Sequence, residues 1–483
     1  ICDRVFAFAA TWSIGASCIQ TSRPSFDSTV RDIDSTVFPA SHSIYDYYYD
    51  FEKNEFALWE DIIARNPYAP SEDTPFHKML VPTVDTERNG YIIDQLCKAH
   101  CGFLGVGDTG CGKTVCVQKM ISSLPKQSWS NVVINFSAQS GSLGLQNMLM
   151  SKVEKRTKGK FGAPANRRLL IFVDDLNMPR KDTFGSQPPL ELLRQWQTYG
   201  FWYDRVKFVE QFIVDTQVGA AMAPPGGGRA HITQRILTKF NVLNFINPQE
   251  TQLKRIFGTL SAIKMGRVHA GNKTFPEEVS SLAPTLTNAT LSIYHHVCED
   301  FLPTPSCCHY LFNLRDVSRV FQGIDMAQPQ LFQEKEKMVR LWVHEVMKVF
   351  NDRMNTEPHR EQMWSLIEKT VEQAQEFSVM RLRDLIPEDE VFAFAGINVN
   401  NPEAEDPPYD DITEGQKLKE FMEEKLSDYN TYKKSAKMNL VLFSDAIGHA
   451  LSVHRVFGLA RGNAMLVGVG GSGRHCMTKL GSY

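Results

Sequence analysis

The feature that most constrains this chain is a glycine-rich segment, Gly107-Asp108-Thr109-Gly110-Cys111-Gly112-Lys113-Thr114. It matches the phosphate-loop pattern G-x-x-x-x-G-K-[ST] at every fixed position. An apolar run at 103–106 precedes the segment and a helical pattern at 115–124 follows it, which is the context that such a loop requires. Glycines allow backbone N–H groups to face phosphate oxygens, and a helix N-terminus adds partial positive charge. The segment therefore predicts nucleotide binding; the alternative is a glycine-rich turn without a ligand.

Four side chains carry the predicted chemistry of this site. Lys113 would contact the β- and γ-phosphates, and the hydroxyl of Thr114 would bind Mg²⁺. A later apolar run ends in Asp174 and Asp175, and Asp174 can reach the same ion. Asp175 stands where a glutamate often polarises the attacking water, but its side chain is one methylene shorter, and a displacement of about 1 Å can cost ~10²-fold in rate. The alternative for Asp175 is a carboxylate that caps a helix.

Short apolar runs alternate with helical patterns from residue 81 onward. Near-continuous apolar runs suit the strands of a parallel sheet, because helices cover both faces of such a sheet. The pattern predicts a doubly wound α/β domain. The expected strands are residues 101–106, 132–136, 169–173, 213–222 and 242–246. Pro188 and Pro189 are placed to start a helix that runs to Thr198.

Two polar segments at the expected sheet edge leave alternatives open. Residues 220–229 end in Pro-Pro, three glycines and Arg229, which predicts either a second phosphate loop or, as we favour, a hairpin or insert. Asn177 could position a water molecule or stabilise a turn. Ala223 lies at the end of the fourth strand.

The N-terminal part of the chain predicts connecting structure. Residues 20–80 are rich in Ser, Asp, Tyr and Pro, and we expect an irregular connection. Asp46 and Asp50 flank the aromatic cluster at 45–51, which favours packing over base stacking and argues against nucleic-acid binding. The apolar run at 5–19 has features of a secretory signal, but we expect a buried helix. The run is also too short to span a bilayer, which needs ~20 apolar residues. The chain begins with Ile, so we expect a piece of a longer protein.

The C-terminal half predicts helices and then a second loop. Helical periodicity dominates after residue 247, with a wide apolar face at 334–352, and returns at 414–456 after a loop or linker at 397–410. An expected strand at 464–467 leads into Gly468-Val469-Gly470-Gly471-Ser472-Gly473-Arg474-His475. This loop keeps the glycines of the first, but Arg474 and His475 replace its lysine and hydroxyl residue. We expect the start of a second nucleotide-binding module in a tandem array.

Composition adds little about ligands. Hydrophobic residues make up 42% and charged residues 22%, as in an ordinary globular protein. A net charge of -3 gives no overall attraction to nucleic acid or to anionic lipid. The ten cysteines lack metal-ligand spacing, which indicates free thiols in a reducing compartment.

The motifs together resemble the third AAA+ module of a dynein heavy chain. The matching segments are VPTVDT (81–86), GDTGCGKT (107–114), NFSAQ (135–139), FVDDLNMP (172–179), QPPLELLRQW (187–196) and APPGGGR (223–229). The resemblance extends through the helical lid in HITQRILTKFNVLNF (231–245), HYLFNLRDVSRVFQGI (309–324) and LWVHEVMKVFNDRM (341–354). MNLVLFSDAIGHALSVHRV (438–456) and LVGVGGSGR (466–474) resemble the fourth module of axonemal dyneins, and WSIGA (12–16) resembles the entry to the third.

This resemblance implies an AAA+ P-loop α/β domain with a parallel sheet and a helical lid, followed by the start of a second AAA+ module. The implied domains are a connecting segment at 1–77, the nucleotide-binding domain at 78–247, the lid at 248–380, and a linker with the start of the next module at 381–483. The family forms a ring of six modules that moves on microtubules and bends cilia, and its third module regulates the ring. The implied partners are neighbouring modules and dynein complex subunits, without nucleic acid or membrane, in the cytoplasm, cytoskeleton and axoneme.

The resemblance also implies roles for individual residues. Val81, Pro82 and Thr83 would line the adenine pocket, while Lys113, Thr114 and Asp174 would hold the phosphates and Mg²⁺ of ATP or ADP. Arg315 would be the sensor arginine that reaches the γ-phosphate; the alternative is a surface arginine. Arg235 matches an arginine finger, which would serve a neighbouring module.

Departures from the family pattern predict slow hydrolysis. Ala223 stands where AAA+ proteins usually have the asparagine that holds the attacking water, and Asp175 replaces a glutamate. The arginine finger for this site would come from the fourth module, and such a finger is worth ~10³–10⁵ in rate. We expect tight nucleotide binding in a regulatory module; a structural ring spacer with a permanently held nucleotide is the alternative. A P-loop kinase or GTPase is disfavoured, since no guanine-reading Asn-Lys-x-Asp motif is present.

Overall fold

The computed structural model describes residues 2–71, 74–266, 274–377, 381–386, 391–401, 407–432 and 437–483. The chain divides into two compact units. Residues 1–68 and 82–252 form the first unit, and residues 69–81 and 253–483 form the second. None of the described helices is long and apolar enough to cross a membrane.

The first unit combines a large sheet with helices and a smaller sheet. Its strands are β1 Tyr47–Asp50, β2 Glu55–Leu58, β3 Phe103–Val106, β4 Trp129–Asn135, β5 Glu154–Thr157, β6 Lys160–Gly162, β7 Arg168–Asp174, β8 Phe201–Tyr203, β9 Glu210–Ile213, β10 Thr216–Met222 and β11 Asn241–Asn244. Its helices are α1 Cys2–Ser13, α2 Arg23–Ile33, α3 Trp59–Arg65, α4 Val84–Lys98, α5 Lys113–Ser123, α6 Ser142–Met150, α7 Pro188–Tyr199 and α8 Gln234–Leu237.

The central sheet confirms the predicted parallel α/β domain. Five strands pair in the order β11-β3-β10-β7-β4, and every neighbouring pair is parallel. Along β7, Leu169, Ile171 and Val173 pack into one hydrophobic cluster, while Leu170 and Phe172 pack into the cluster on the other face. Because both faces of β7 are buried, its sequence reads as a continuous apolar run. Helix α7 begins at the predicted prolines.

The expected strand at 213–222 is two strands. Ile213 ends β9, which belongs to a separate sheet of order β5-β6-β9-β8. Asp215 then adopts a left-handed backbone with φ 54°, and β10 begins at Thr216. The smaller sheet was not predicted, because strands such as β5 (Glu-Lys-Arg-Thr) are short and charged and carry no apolar run.

The expected irregular connection at 20–80 is wrong for most of its length. Residues 23–65 form α2, the antiparallel hairpin β1–β2 and α3. Tyr47 and Tyr49 point into the interior of the first unit, and Trp59 is 1% exposed. The aromatic cluster therefore serves packing, as predicted. Helix α1 is present at Cys2–Ser13, but only Phe8 and Thr11 of it are buried, so the expectation of a buried helix is wrong for most of its residues.

The second unit is mainly helical, as its periodicity predicts. Its helices are α9 Glu250–Gly266, α10 Glu277–Ser280, α11 Ala283–Asp300, α12 Leu314–Ile324, α13 Lys335–Val349, α14 Glu357–Gln373, α15 Leu382–Leu385, α16 Gly415–Tyr432, α17 Ser444–Gly458 and α18 Arg474–Gly481, and its strands are β12 Ala393–Ala395 and β13 Asp410–Ile412. Helix α9 begins at Glu250, which still belongs to the first unit. The indole of Trp342 on α13 is fully buried and donates to Thr290 Oγ1 at 2.8 Å.

A buried ion pair joins two helices of the second unit. Glu345 on α13 is fully buried, and Arg455 Nε on α17 lies 3.0 Å from both of its carboxylate oxygens. The Tyr409 hydroxyl donates to the same carboxylate at 2.8 Å. Burial alone would raise the pKa of Glu345, but the positive charge of Arg455 and the hydrogen bonds from His344 and Arg455 outweigh burial and lower this pKa to about 2. The carboxylate is therefore ionised and held by several donors.

The expected strand at 464–467 is wrong. Residues 462–469 have no regular secondary structure and form no ladder with any other described residue. Met465 and Val467 are 90% and 84% exposed. A strand is stabilised by pairing, and an apolar run alone cannot supply the partner.

Candidate nucleotide site

The first phosphate loop lies between the end of β3 and the start of α5. Gly110 and Gly112 adopt φ angles of 94° and 86°, the left-handed region that favours glycine. A Cβ at Gly107 would collide with the carbonyl oxygen of Phe245, so this position also requires glycine. Cys111 is buried within the loop, and burial raises the pKa of its thiol. The structure therefore contains the predicted strand, loop and helix.

The loop lysine lies across the start of the loop. Lys113 Nζ donates to the carbonyl oxygens of Gly107 and Asp108, each at 2.7 Å. Its ammonium group therefore lies where residues 107–108 lead out of β3. The Asp108 carboxylate accepts a hydrogen bond from Asn247 Nδ2 at 3.1 Å. Asn247 is a contact that the sequence reasoning missed.

The structure brings together the two predicted Mg²⁺ ligands. Thr114 Oγ1 donates to Asp174 Oδ2 at 2.7 Å, although β10 separates β3 from β7 in the sheet. A hydroxyl and a carboxylate are hard oxygen donors, and Mg²⁺ in phosphate sites is held by one or two carboxylates together with phosphate oxygens. These residues therefore fit the ion.

Asp175 follows β7 in an unusual backbone conformation. Its φ is 53°, in the left-handed region, and its N–H donates to Asp174 Oδ1 at 3.0 Å. The next residues form a turn, in which Met178 N–H donates to the Asp175 carbonyl at 3.0 Å. The residues directly after Asp175 form this turn and not a helix, so Asp175 caps no helix that begins there, and the alternative of a capping carboxylate stays open. Its role with the attacking water stays a prediction.

Asn177 makes contacts that fit its structural alternative, and its role in positioning a water molecule stays a prediction. The residue is fully buried, and its Nδ2 donates to the carbonyl oxygen of Ala223 at 2.7 Å. Its own carbonyl accepts a hydrogen bond from Ala230 N–H at 3.0 Å. Asn177 thereby connects the turn after β7 to the segment after β10.

The predicted adenine-pocket residues lie at the start of α4. Thr83 caps this helix, since its hydroxyl accepts from Thr86 N–H at 3.3 Å, and both Val81 and Thr83 are buried. Helix α4 packs beside α5, the helix that begins in the phosphate loop. Val81 is counted with the second unit, whereas Pro82 and Thr83 belong to the first. That these residues line an adenine pocket stays a prediction.

The two arginines implied by the resemblance lie in different units. Arg315 is exposed in the first turn of α12 in the second unit, where Asn313 accepts a hydrogen bond from its N–H at 2.9 Å. Arg235 is exposed on α8 in the first unit. Both roles stay predictions.

Arg229 is a further residue at the phosphate loop that the sequence reasoning did not select. Its Nη2 donates to Thr109 Oγ1 at 3.3 Å. Gly226 and Arg229 exchange two backbone hydrogen bonds of 3.2 and 3.0 Å, so the glycine-rich segment forms the favoured hairpin turn. The segment APPGGGR signalled a loop at this edge, but nothing local in it indicated the contact with Thr109.

Comparison with known proteins identifies the family. Residues 68–248 match a P-loop containing dynein motor region, 286–380 an AAA+ lid domain, 1–61 a dynein heavy chain AAA lid domain, and 438–483 a P-loop containing dynein motor region D4. The chain is 40% identical over 481 residues to human dynein axonemal heavy chain 2, with 99% of the chain aligned. The chain belongs to the dynein heavy chain family.

Other axonemal relatives agree with this assignment. The dynein-1-beta heavy chain of the flagellar inner arm I1 complex of Chlamydomonas reinhardtii is 39% identical over 484 residues, and mouse dynein axonemal heavy chain 1 is 38% identical over 511. The chain spans about a tenth of the length of these curated relatives. Dynein AAA lid similarity at 1–61 accords with the helices and hairpin found where an irregular connection was expected.

Proposed function

We propose that this chain is a regulatory ATP-binding AAA+ module of a ciliary dynein heavy chain, corresponding to the third module, with slow or no hydrolysis of its own. The contact between Thr114 and Asp174 carries the proposal, because it pairs a phosphate-loop hydroxyl with a strand-end carboxylate at 2.7 Å. Such a pair binds the Mg²⁺ that accompanies ATP or ADP. Bound Mg²⁺ would supply charge neutralisation at the phosphates.

Weak hydrolysis follows from the groups around the attacking water. Ala223 carries no polar side-chain atom, and Asn177 uses its Nδ2 on the Ala223 carbonyl while its Oδ1 is enclosed. Asp175 is shorter than glutamate and lies on a left-handed backbone. Since AAA+ catalysis also needs a finger from the next module, we infer that the isolated chain binds nucleotide much better than it turns nucleotide over.

The setting of the proposed module follows from the relatives. Two relatives are named as axonemal dynein heavy chains and one as part of a flagellar inner arm complex. We infer that this chain acts in the axoneme, beside neighbouring AAA+ modules and dynein subunits. It would contribute to microtubule-based movement through microtubule contacts made by other parts of the heavy chain.

The test is binding of fluorescent ATP and ADP to the purified chain, followed by turnover measured on the same sample. We expect micromolar binding that is lost in Lys113→Ala, because this variant removes the cation that contacts the terminal phosphates. Turnover should be slow. Lys126→Ala, which removes an exposed lysine of the first unit, is the matched control and should bind like wild type.

The outcomes separate the proposal from its alternatives. Absence of binding in a well-folded sample would contradict the nucleotide assignment for this chain. If nucleotide stays bound through purification and does not exchange, the chain is a structural ring spacer, because a regulatory site must release its ligand. Rapid turnover would instead indicate a complete ATPase site.

A further inference from the structure

We propose that Arg229 contacts the terminal phosphate of the bound nucleotide and gives this site its preference for ATP over ADP. The inference rests on the proposed function, namely that residues 107–114 bind a nucleotide. It concerns an arginine supplied by the module itself, on the turn that follows β10.

The turn that presents Arg229 depends on glycine. Gly226, Gly227 and Gly228 have φ angles of 130°, 56° and 87°, a series that side-chain-bearing residues rarely adopt. Two backbone hydrogen bonds between Gly226 and Arg229 close the turn. The turn therefore fixes the backbone position of Arg229, and the chain does not continue as a strand at this residue.

The base of this turn is attached to the neighbouring strand end. Asn177, which is fully buried, donates to the Ala223 carbonyl at 2.7 Å before the turn and accepts from Ala230 N–H at 3.0 Å after it. One side chain and its own carbonyl thus hold both ends of the segment. Asn177 lies three residues after Asp174, so the turn is positioned relative to the Mg²⁺ ligand.

The guanidinium of Arg229 has donors to spare. Its Nη2 donates to Thr109 Oγ1 at 3.3 Å, while its Nε is enclosed and has no hydrogen-bond partner among the described residues. An enclosed donor without an acceptor is unfavourable, because it has lost its hydrogen bonds to water. A phosphate group can accept two parallel hydrogen bonds from a guanidinium, which makes it the natural acceptor here.

Arg229 and Lys113 lie at the same end of the loop. Lys113 Nζ contacts the carbonyls of Gly107 and Asp108, and Arg229 contacts the next residue, Thr109. Two nearby carboxylates accept hydrogen bonds from neutral groups: Asp108 from Asn247, and Asp174 from Thr114. Lys113 and Arg229 thus place two cations against three consecutive residues of the loop, and two cations so close together favour the binding of an anion between them.

The position explains a preference for ATP in particular. The lysine of such a loop reaches the β- and γ-phosphates, so a second cation beside it meets the terminal end of the nucleotide. Ala223, at the usual position of a polar sensor residue, has no side chain that could do so. Arg229, on the same segment, supplies the charge that this position lacks.

The experiment compares ATPγS and ADP binding to the whole chain by titration calorimetry. We expect Arg229→Ala to weaken ATPγS binding by about 10- to 100-fold, the range for loss of a charge-assisted hydrogen bond, and to weaken ADP binding by less than about threefold. Arg229→Lys should restore part of the preference, because it restores a point charge. Should Arg229→Ala fail to fold, Arg229→Lys carries the test through reduced ATPγS affinity with unchanged ADP affinity.

Two controls isolate the direct contact. Arg168→Ala removes an exposed arginine at the start of β7, at the opposite end of this strand from Asp174, and should leave both affinities unchanged. Thr109→Val removes the hydroxyl that Arg229 contacts but keeps the guanidinium, so the preference for ATPγS should persist. A Thr109→Val variant that loses this preference like Arg229→Ala would overturn the inference, since Arg229 would then act only by bracing the loop.

The remaining outcomes distinguish this inference from the proposed function. If wild type binds both nucleotides and Arg229→Ala binds each of them as tightly as wild type does, or loses affinity for both to the same extent, the inference is overturned and the proposed function stands. If wild type binds neither nucleotide, both are overturned.

Discussion

Asp174 and Asp175 are neighbours in sequence, yet their backbones differ. Asp174 ends β7 in an extended conformation, whereas Asp175 adopts φ 53°. Among residues with a side chain, Asp and Asn are several-fold enriched in this region, because their short polar side chains hydrogen-bond locally. The aspartate therefore suits this turn, and the longer glutamate expected of an ATPase does not.

Replacing Asp175 by glutamate should reduce stability without creating an ATPase. We expect Asp175→Glu to lower the free energy of unfolding by about 1 kcal/mol, the lower end of the cost of such a backbone state. The control Asp175→Asn should remain within about 0.5 kcal/mol of wild type, because asparagine tolerates this φ. Urea unfolding followed by circular dichroism measures both.

Turnover of the same variants tests the catalytic argument. Asp175→Glu should hydrolyse ATP no faster than wild type, because Ala223 would still supply no polar group to hold the attacking water. A tenfold or greater increase would show that carboxylate length alone limits the rate, and would contradict the proposed basis of slow hydrolysis.

At the scale of elements, α12 and α13 approach closely at one glycine. A Cβ on Gly323 of α12 would collide with the carboxylate of Glu345 on α13. That carboxylate cannot move aside cheaply, because it is fully buried and bound by Arg455 and Tyr409. Gly323 is thus required by packing, although glycine inside a helix costs about 0.5–1 kcal/mol relative to alanine.

The substitution Gly323→Ala should therefore destabilise the second unit. We expect a loss of about 1–3 kcal/mol in the free energy of unfolding, as for other overpacked sites. Gly448→Ala is the matched control: it also lies inside a helix, α17, but no atom lies within 4 Å of its added Cβ. This control should be neutral or gain up to about 1 kcal/mol. Equal effects in thermal or urea unfolding would refute the packing argument.

Prediction from sequence succeeded for elements whose pattern reflects their burial. The strands β3, β7 and β10 were recognised because both of their faces are buried, which imposes apolar runs. The edge strands β4 and β11 were recognised from their short apolar runs, although both carry exposed residues. It failed for β5 and β6, which contain charged residues and no such run. It also failed for the hairpin β1–β2, whose strands combine aromatic residues with Asp50 and Glu55. It also assigned a strand at 464–467 on an apolar run that has no pairing partner among the described residues.

At the scale of the whole molecule, the two phosphate loops differ in sequence and in whether the segment before each loop is paired in a sheet. β3 pairs with β10 on one side and β11 on the other, so the first loop follows a strand that is hydrogen-bonded on both sides. The segment before the second loop is exposed and forms no ladder within the described ranges. Gly471 and Gly473 still adopt φ angles of 83° and 73°, and α18 follows, so the local loop geometry alone is retained.

The whole chain should therefore bind one nucleotide. Without the lysine and the hydroxyl residue, and without a supported strand, the second loop offers fewer positioned donors to phosphate. Titration calorimetry should give a stoichiometry near one for wild type and for Arg474→Ala, and no binding for Lys113→Ala. A second site that disappears in Arg474→Ala would show that the later loop also holds nucleotide.

The sequence by itself determined the phosphate loop, the strands of the parallel sheet and the helical character of the second unit. Each depends on residues close together in the chain, through glycine conformations and periodic burial. Tertiary structure decided which side chains meet. Thr114 and Asp174 are 60 residues apart and Thr109 and Arg229 are 120 apart. No local pattern encodes such contacts, because the order of strands in the sheet and the turn after β10 bring them together.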